Sequence, residues 1–188
     1  MAPDPAPTRP DARLARRVAR NRRRAGRPVV LTGPVPDPVP RPDDPVVLVA
    51  RPDADRAGPL RVVAAVRDLP AELPVLAEAA DVAAELGAEL VIAHAVPLSF
   101  GEHSVGMDAA LDRGRRTLEA AAARVAELAP ELAVSTSLTR RWAHELLGEG
   151  LDADIVVLGG RRAGAGLGLV SRSAVRHAPC PVLLVPRA

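Results

Sequence analysis

The residues with the clearest chemical potential are five glycines near the carboxyl terminus, which follow a short apolar run and precede a helical pattern. The run, residues 154–158, is β-branched and too short for a helix, so it predicts a buried strand that Gly159 and Gly160 end. A helix over residues 169–177 would turn its free backbone N–H groups and positive dipole end towards the loop. The sequence therefore predicts a site for phosphate or another anion, with the glycines Gly159, Gly160, Gly164, Gly166 and Gly168.

Other residues with chemical potential lack a diagnostic spacing. The chain has no lysine, which excludes Schiff-base catalysis and a Walker-A phosphate loop. No metal-ligand spacing is present, although polar residues should face the same crevice: Asp68, His94, Glu102 and His103. Ser171 and Ser173 lack a nucleophile elbow. We predict no catalytic residue and no metal site.

Composition limits the class of protein. The 188 residues suit one domain with an appendage. The single cysteine, Cys180, excludes an internal disulfide and suits a reducing compartment. Every apolar run is shorter than the roughly 18 residues of a membrane span, so we expect a cytoplasmic protein without a transmembrane segment. One Trp, one Phe and no Tyr argue against stacking on single-stranded nucleic acid.

From residue 61 onward, strand patterns alternate with helical patterns. Such alternation predicts an α/β fold, a parallel sheet with helices on both faces. One reversal of strand order would open a crevice at the carboxyl ends of the first and fourth strands, next to residues 67–69 and 159–168. The predicted strands are 61–66, 89–96, 131–139, 154–158 and 181–185, and the predicted helices are 71–86, 107–128, 142–148 and 169–177.

The first third of the chain differs in charge and in proline content. Residues 1–60 contain 12 Arg and 7 Asp, and 13 of the 20 prolines. Its Arg-rich start favours a solvated tail over an arm that binds nucleic acid or an anionic surface, because no aromatic residues are interleaved. We therefore predict three parts: residues 1–27 as a disordered or short helical tail, 28–59 as a Pro-rich linker with edge-strand segments, and 60–188 as the folded domain.

The folded domain resembles the universal stress protein family over about residues 60–187. Three segments carry the resemblance, of which the last is the most specific: residues 88–96, residues 152–159, and residues 176–182 with the sequence Arg-His-Ala-Pro-Cys-Pro-Val. The resemblance implies a Rossmann-like, five-stranded parallel sheet in the order 3-2-1-4-5. It also implies that many members are homodimers and that one branch binds ATP.

The chain departs from the pattern of the ATP-binding members. Those members place an Asp after the first strand, where this chain has Arg67, and a Ser or Thr where it has Leu169. Arg162 replaces the second glycine, and the loop is four residues short. The residues that the resemblance places around a nucleotide are Arg67, Ala95, Gly159, Gly160, Arg162, Gly164, Gly166, Gly168, Val170 and Ser171.

The resemblance therefore predicts a non-enzymatic binding or regulatory module of the stress response with a degenerate nucleotide loop. One alternative is a genuine ATP or adenine-nucleotide sensor, including slow hydrolysis. The other is binding of nucleic acid or an anionic surface through the Arg-rich start, although we do not expect nucleic acid to be a partner.

Residues 28–33 and 45–50 are two short strand-like runs, and the second precedes a Pro-, Asp- and Arg-containing linker. Tandem members of the family join two domains in this way, so the second run resembles the last strand of a preceding domain. We expect it to lie antiparallel to residues 182–185 and to cover that edge, since an exposed flat edge invites association. Self-association through the fifth strand would then be blocked.

Overall fold

The computed structural model describes residues 12–33, 46–53, 58–96, 106–148, 150–162 and 167–187. These residues form seven strands and five helices. The strands are β1 (Val29–Thr32), β2 (Val46–Val49), β3 (Arg61–Ala65), β4 (Glu89–Ala95), β5 (Val134–Thr139), β6 (Ile155–Arg162) and β7 (Val182–Arg187). The helices are α1 (Arg13–Arg24), α2 (Leu73–Leu86), α3 (Met107–Leu128), α4 (Ala143–Leu146) and α5 (Leu169–His177). No helix in these ranges is long and apolar enough to cross a membrane.

All seven strands form one mixed sheet in the order β1-β2-β7-β6-β3-β4-β5. The predicted sheet of five parallel strands in the order 3-2-1-4-5 is therefore wrong for the whole sheet, although the α/β architecture is present. The physical reason is that two strands from the first third add to the β7 edge. The strands from residue 61 onward pair in parallel as β7-β6-β3-β4-β5.

The β7 edge is covered as predicted. Strand β2 runs antiparallel to β7, with Leu48 opposite Leu183 and Val49 opposite Val182. Strand β1 pairs in parallel with β2 on its other side, so β2 lies inside the sheet and all four of its residues are buried. The chain between these strands, residues 34–45, lies outside the described residues. Strand β2 alone thus covers β7, and β1 is the outer strand of the sheet.

The helices cover both faces of the sheet. Alternate strand residues enter two apolar clusters, one on each face. Helices α1, α2 and α3 pack on the first cluster, which contains Leu48, Leu90 and Leu183. Residues of α5 pack on the second, which contains Val49 and Cys180. Strand β2 therefore contributes to both clusters, like the strands of the family domain.

Helix α1 is part of the packed structure. Leu14, Ala15, Val18 and Ala19 lie on one face at helical spacing, and that face is buried in the first cluster. The short helix is present as predicted, but the expectation that it is solvated is wrong for residues 13–24, because its apolar stripe packs on the sheet and on α2. Residues 1–11 of the predicted tail lie outside the described residues.

Candidate functional site

The predicted crevice lies at the carboxyl ends of β3, β4 and β6. Ala65 in β3 pairs with Ala93 in β4 and with Leu158 in β6. Arg67, Ala95 and Gly160 each follow these residues by two positions. Because parallel strands end at the same edge of a sheet, three elements bring predicted site residues together here.

The turn after β3 is shaped by a carboxylate that the sequence did not single out. Glu72, 4% exposed, accepts a hydrogen bond from the backbone N–H of Arg67. The Arg67 side chain is 82% exposed and lies 4.0 Å from the Asp68 carboxylate, measured from Nε to Oδ2. A clue was available, because Glu72 directly precedes α2, where a carboxylate is favoured. The Arg67 side chain is thus solvated at the carboxyl end of β3, and the buried Glu72 carboxylate binds the backbone of the same turn.

His94 has a structural position. Its Nδ1 lies 3.0 Å from the carbonyl oxygen of Val66, so Nδ1 carries the proton and donates. The ring packs beneath Gly114 of α3, where a Cβ would meet Leu138 at 2.7 Å and the His94 ring at 3.0 Å. The predicted neighbours Glu102 and His103 lie outside the described residues. Within the ranges that are described, no three His, Cys, Asp or Glu side chains come together as a metal site.

The first two glycines of the predicted loop belong to a strand. Gly159 and Gly160 continue β6, with Gly159 opposite Val185. The prediction that they end the strand is wrong, because pairing with β7 outweighs the low strand propensity of glycine. A Cβ on Gly160 would lie 3.3 Å from the Val185 carbonyl oxygen, so β7 favours a glycine here.

The loop between β6 and α5 is consequently shorter than predicted. Strand β6 extends to Arg162, whose backbone is opposite Arg187 in β7, with a register shift after Gly159. Gly164 and Gly166 lie outside the described residues. Of the predicted loop glycines, Gly168 alone is described between the end of β6 and the start of α5.

Helix α5 begins at the crevice edge. Gly168 is its N-cap residue, is exposed, and makes no side-chain cap to the helix. Leu169, the first helical residue, is 84% exposed, and Val170 is half-buried. Ser171 is only 4% exposed, and its Oγ donates to the carbonyl oxygen of Gly159 at 2.7 Å. In the first turn of α5, the Leu169 side chain is therefore exposed to solvent, whereas the Ser171 hydroxyl points into the protein.

The described part of the chain also contains three cavities, of which the first reaches Ala93 of β4. A cavity of about 240 Å³ lies under α4, between Arg61 and Thr139. A groove of about 700 Å³ lies at the carboxyl ends of α2 and α3, beside Gly87 and Pro130. A third of about 380 Å³ lies beside α1. None of the three is lined by a predicted nucleotide-site residue.

Comparison with known proteins identifies the domain. The family model described as "Universal stress protein family" matches residues 60–186. No curated protein matches the chain. Solved structures share the fold at low identity. A universal stress protein from Archaeoglobus fulgidus in complex with dAMP has 22% identity and a TM-score of 0.55, over 65% of this chain and 94% of that one.

Two further solved structures are similar. A universal stress protein in complex with cAMP has 19% identity and a TM-score of 0.50, over 69% of this chain and 98% of that one. A longer universal stress protein from Archaeoglobus fulgidus DSM 4304 has 22% identity and a TM-score of 0.53, over 78% of this chain and 51% of its own length. Because the family model covers well over half of the chain, from β3 to β7, this chain belongs to the universal stress protein family.

Proposed function

We propose that this chain is a non-enzymatic binding and regulatory module of the stress response, and that its crevice has lost most of its affinity for ATP. The observation that carries the proposal is the first turn of α5. At the position of the family's Ser or Thr stands Leu169, 84% exposed. The hydroxyl nearest to it in sequence, that of Ser171, is buried and donates to the Gly159 carbonyl.

The expected loss of affinity follows from the missing hydrogen bonds. A hydrogen bond to a charged group contributes roughly 1.5–3 kcal/mol, and each 1.4 kcal/mol is about tenfold in affinity. The carboxylate expected after β3 is replaced by exposed Arg67, and buried Glu72 is occupied by the Arg67 backbone. Two such losses move a micromolar site towards about millimolar affinity.

A second candidate function is the binding of a smaller adenine nucleotide. Gly168 is exposed at the start of the nine-residue helix α5, and a helix start favours a phosphate. Arg67 adds a solvated cation at the same edge of the sheet. Relatives of the same fold have been solved in complex with dAMP and with cAMP. A monophosphate needs fewer contacts than a triphosphate, so this candidate tolerates the shorter loop.

Calorimetry on the purified chain separates these functions, with ATP and Mg²⁺, dAMP and cAMP as titrants. We expect ATP binding weaker than about 0.1 mM. Leu169→Ser restores the hydroxyl and should tighten ATP binding about tenfold. Leu128→Ser replaces another exposed leucine, 45% exposed at the end of α3, and should change nothing.

Gly168→Val tests whether the crevice binds a nucleotide at all. A Cβ at Gly168 would meet no atom within 4 Å, and the backbone φ of −63° suits any residue, so the variant should fold normally. Micromolar ATP binding that disappears in Gly168→Val would overturn the proposal of lost affinity. Binding of dAMP or cAMP alone, abolished by the same change, would support the second candidate. Nucleotide that co-purifies with the chain should be sought by mass spectrometry.

A further inference from the structure

Helix α1 displays a straight row of arginines. Arg13, Arg17, Arg20 and Arg24 follow one another at intervals of three and four residues, so they lie on one side of the helix. All four are exposed, and the apolar residues of α1 are on the opposite side. At 1.5 Å per residue, the row is about 17 Å long.

The row is held rigidly because the other side of α1 is part of the core. Leu14, Ala15, Val18 and Ala19 are each 9% exposed or less. The Leu14 backbone N–H donates to Asp53 Oδ1 at 3.0 Å, which ties the start of the helix to the residues after β2. Binding therefore requires ordering of the arginine side chains but not of their backbone, which is already fixed.

The charge of this surface is positive and is not neutralised within the helix. Residues 12–33 contain eight arginines and no acidic residue. Two carboxylates of α2, those of Glu78 and Asp81, already pair with arginines outside this row. Glu78 pairs with buried Arg22, and Asp81 pairs with Arg27.

A groove of about 380 Å³ runs beside the row. Arg13, Arg17 and Arg20 line it, together with Asp53 and Asp154. Asp154 immediately precedes β6, so the groove lies at the amino ends of the parallel strands. The crevice at Arg67 and Gly168 lies at their carboxyl ends. The two surfaces are separate, and this inference does not depend on the proposed function.

We propose that α1 docks the phosphate backbone of double-stranded nucleic acid without reading its sequence. Duplex DNA carries about one charge per 1.7 Å of axis, so a length of about 17 Å carries about five phosphates on each strand. The exposed guanidiniums of Arg17, Arg20 and Arg24 lie along part of that length on one rigid backbone, and arginine binds phosphate with two parallel hydrogen bonds. Sequence independence follows because phosphate contacts carry no base information.

The structure argues against two other polyanions. A helix that binds a membrane surface inserts its apolar face, but the apolar face of α1 is buried in the core. Single strands are bound by stacking bases on aromatic side chains, and α1 has no aromatic residue. Duplex nucleic acid needs only the row of cations.

Fluorescence anisotropy of the full chain with a labelled DNA duplex tests the proposal, between about 50 and 200 mM salt. Replacing Arg17, Arg20 and Arg24 together by Gln keeps helix propensity and removes three cations. We expect the slope of log K against log salt to fall by about 3, and the affinity to fall at least about tenfold. The same triple change at Arg113, Arg115 and Arg116, three exposed arginines of α3, is the control with equal charge loss.

Three results would overturn the proposal. The first is no duplex binding at about 50 mM salt. The second is an equal loss of affinity in the α3 control, which would indicate net charge and not this surface. The third is tighter binding to phosphatidylserine vesicles or to single-stranded DNA than to the duplex. Replacing the three α1 arginines by Lys should retain most of the salt slope, which separates loss of charge from loss of fold.

Discussion

The N-terminal segment, residues 12–53, and the family domain, residues 60–187, are built on different principles although they share one sheet. In the family domain, strands β3 to β7 all pair in parallel, and helices α2, α3 and α5 pack on them. The N-terminal segment instead adds β2 antiparallel to β7, and adds β1 beside β2. Yet Leu48 in β2 and Leu90 in β4 are both 0% exposed. Burial therefore extends well beyond the part of the chain that carries the family pattern.

The two regions share a core, and this has a consequence for stability. The first apolar cluster contains residues of α1 and β2 as well as residues of α2, β4 and β7. A shared cluster predicts that the two regions unfold together in one transition. Substitutions in either region should therefore lower the same free energy of unfolding.

The largest effect is expected from a matched pair in the shared core. Leu48→Ala and Leu90→Ala each remove a fully buried leucine side chain, one from each region. Each should lower the free energy of unfolding by about 2–5 kcal/mol, since a cavity is left. Urea unfolding followed by circular dichroism measures both. If Leu48→Ala costs less than about 1 kcal/mol while Leu90→Ala has the full effect, the N-terminal segment does not unfold together with the family domain.

A second pair tests the ionic contact between the regions. Arg22 of α1, 4% exposed, pairs with Glu78 of α2, 11% exposed. Burial lowers the pKa of the Arg22 guanidinium, and the charge of Arg27 lowers it further. Arg22→Met should cost about 3 kcal/mol because it leaves a carboxylate with little solvent and no partner.

The double variant Arg22→Met/Glu78→Leu is the control for that contact. Replacing both charges by apolar side chains should recover most of the stability, because the unpaired carboxylate is gone. Thermal unfolding of the two single variants and the double variant gives the coupling between them. A double variant no more stable than Arg22→Met would show that the loss comes from packing alone.

A smaller effect is expected within the family domain alone. Ser171→Ala removes the hydrogen bond to the Gly159 carbonyl and should cost about 1 kcal/mol of unfolding free energy. Because that hydroxyl is turned to the protein, the affinity for dAMP should stay the same. Calorimetry with dAMP checks this, with Ser173→Ala of the same helix as the control. A clear loss of nucleotide affinity would place the hydroxyl in the crevice.

The last prediction concerns stability at alkaline pH and the thiol of Cys180, whose apolar cluster includes Val47 and Val49 of β2. Burial raises the pKa of its thiol from 9.0 to about 12, and the charge of Asp154 adds to the rise. The folded state thus holds this proton more tightly. The stabilisation is complete below about pH 9 and is lost as the pH rises towards about 12.

The composition makes that alkaline loss easy to assign. The chain contains no Lys and no Tyr, so the side-chain groups expected to titrate at alkaline pH are the thiol and Arg22, whose pKa is lowered by burial. Cys180→Ala should flatten the decrease in unfolding free energy between pH 9 and 12, the range set by the thiol. Unfolding in urea at a series of pH values measures it. An unchanged decrease in Cys180→Ala would show that the thiol does not cause the alkaline loss of stability.

Local pattern was enough to predict much of the family domain. The alternation of strands and helices after residue 61 is a property of neighbouring residues, and helices α2, α3 and α5 lie within two residues of their predicted bounds. The antiparallel contact of β2 with β7 was also predicted, from the apolar run at residues 46–50 and from its resemblance to the last strand of a tandem family member. The first inference uses signals within a few residues of each other, and the second depends on the family resemblance.

Two of the misses come from contacts distant in sequence. Helix α1 is polar by composition, and only the core beneath it makes its small apolar stripe sufficient. Gly159 and Gly160 remain in β6 because β7 pairs with them, which no local propensity reports. Glu72 is a local miss, since its contact with the Arg67 backbone spans only five residues and its position before α2 was a clue.

Strands β1 and β2 run opposite to the other five strands, so their carboxyl ends lie at the end of the sheet away from the crevice. In parallel α/β sheets, ligands bind beyond the carboxyl ends of the strands. Here β3, β4 and β6 end at the crevice, whereas β2, antiparallel to β7, ends towards Asp53 and the arginine groove. Two ligands of different size could therefore occupy the molecule together without competing for space. Any influence of one on the other would pass through the contacts that join the two regions, which include the ladder between β2 and β7 and the Arg22–Glu78 pair.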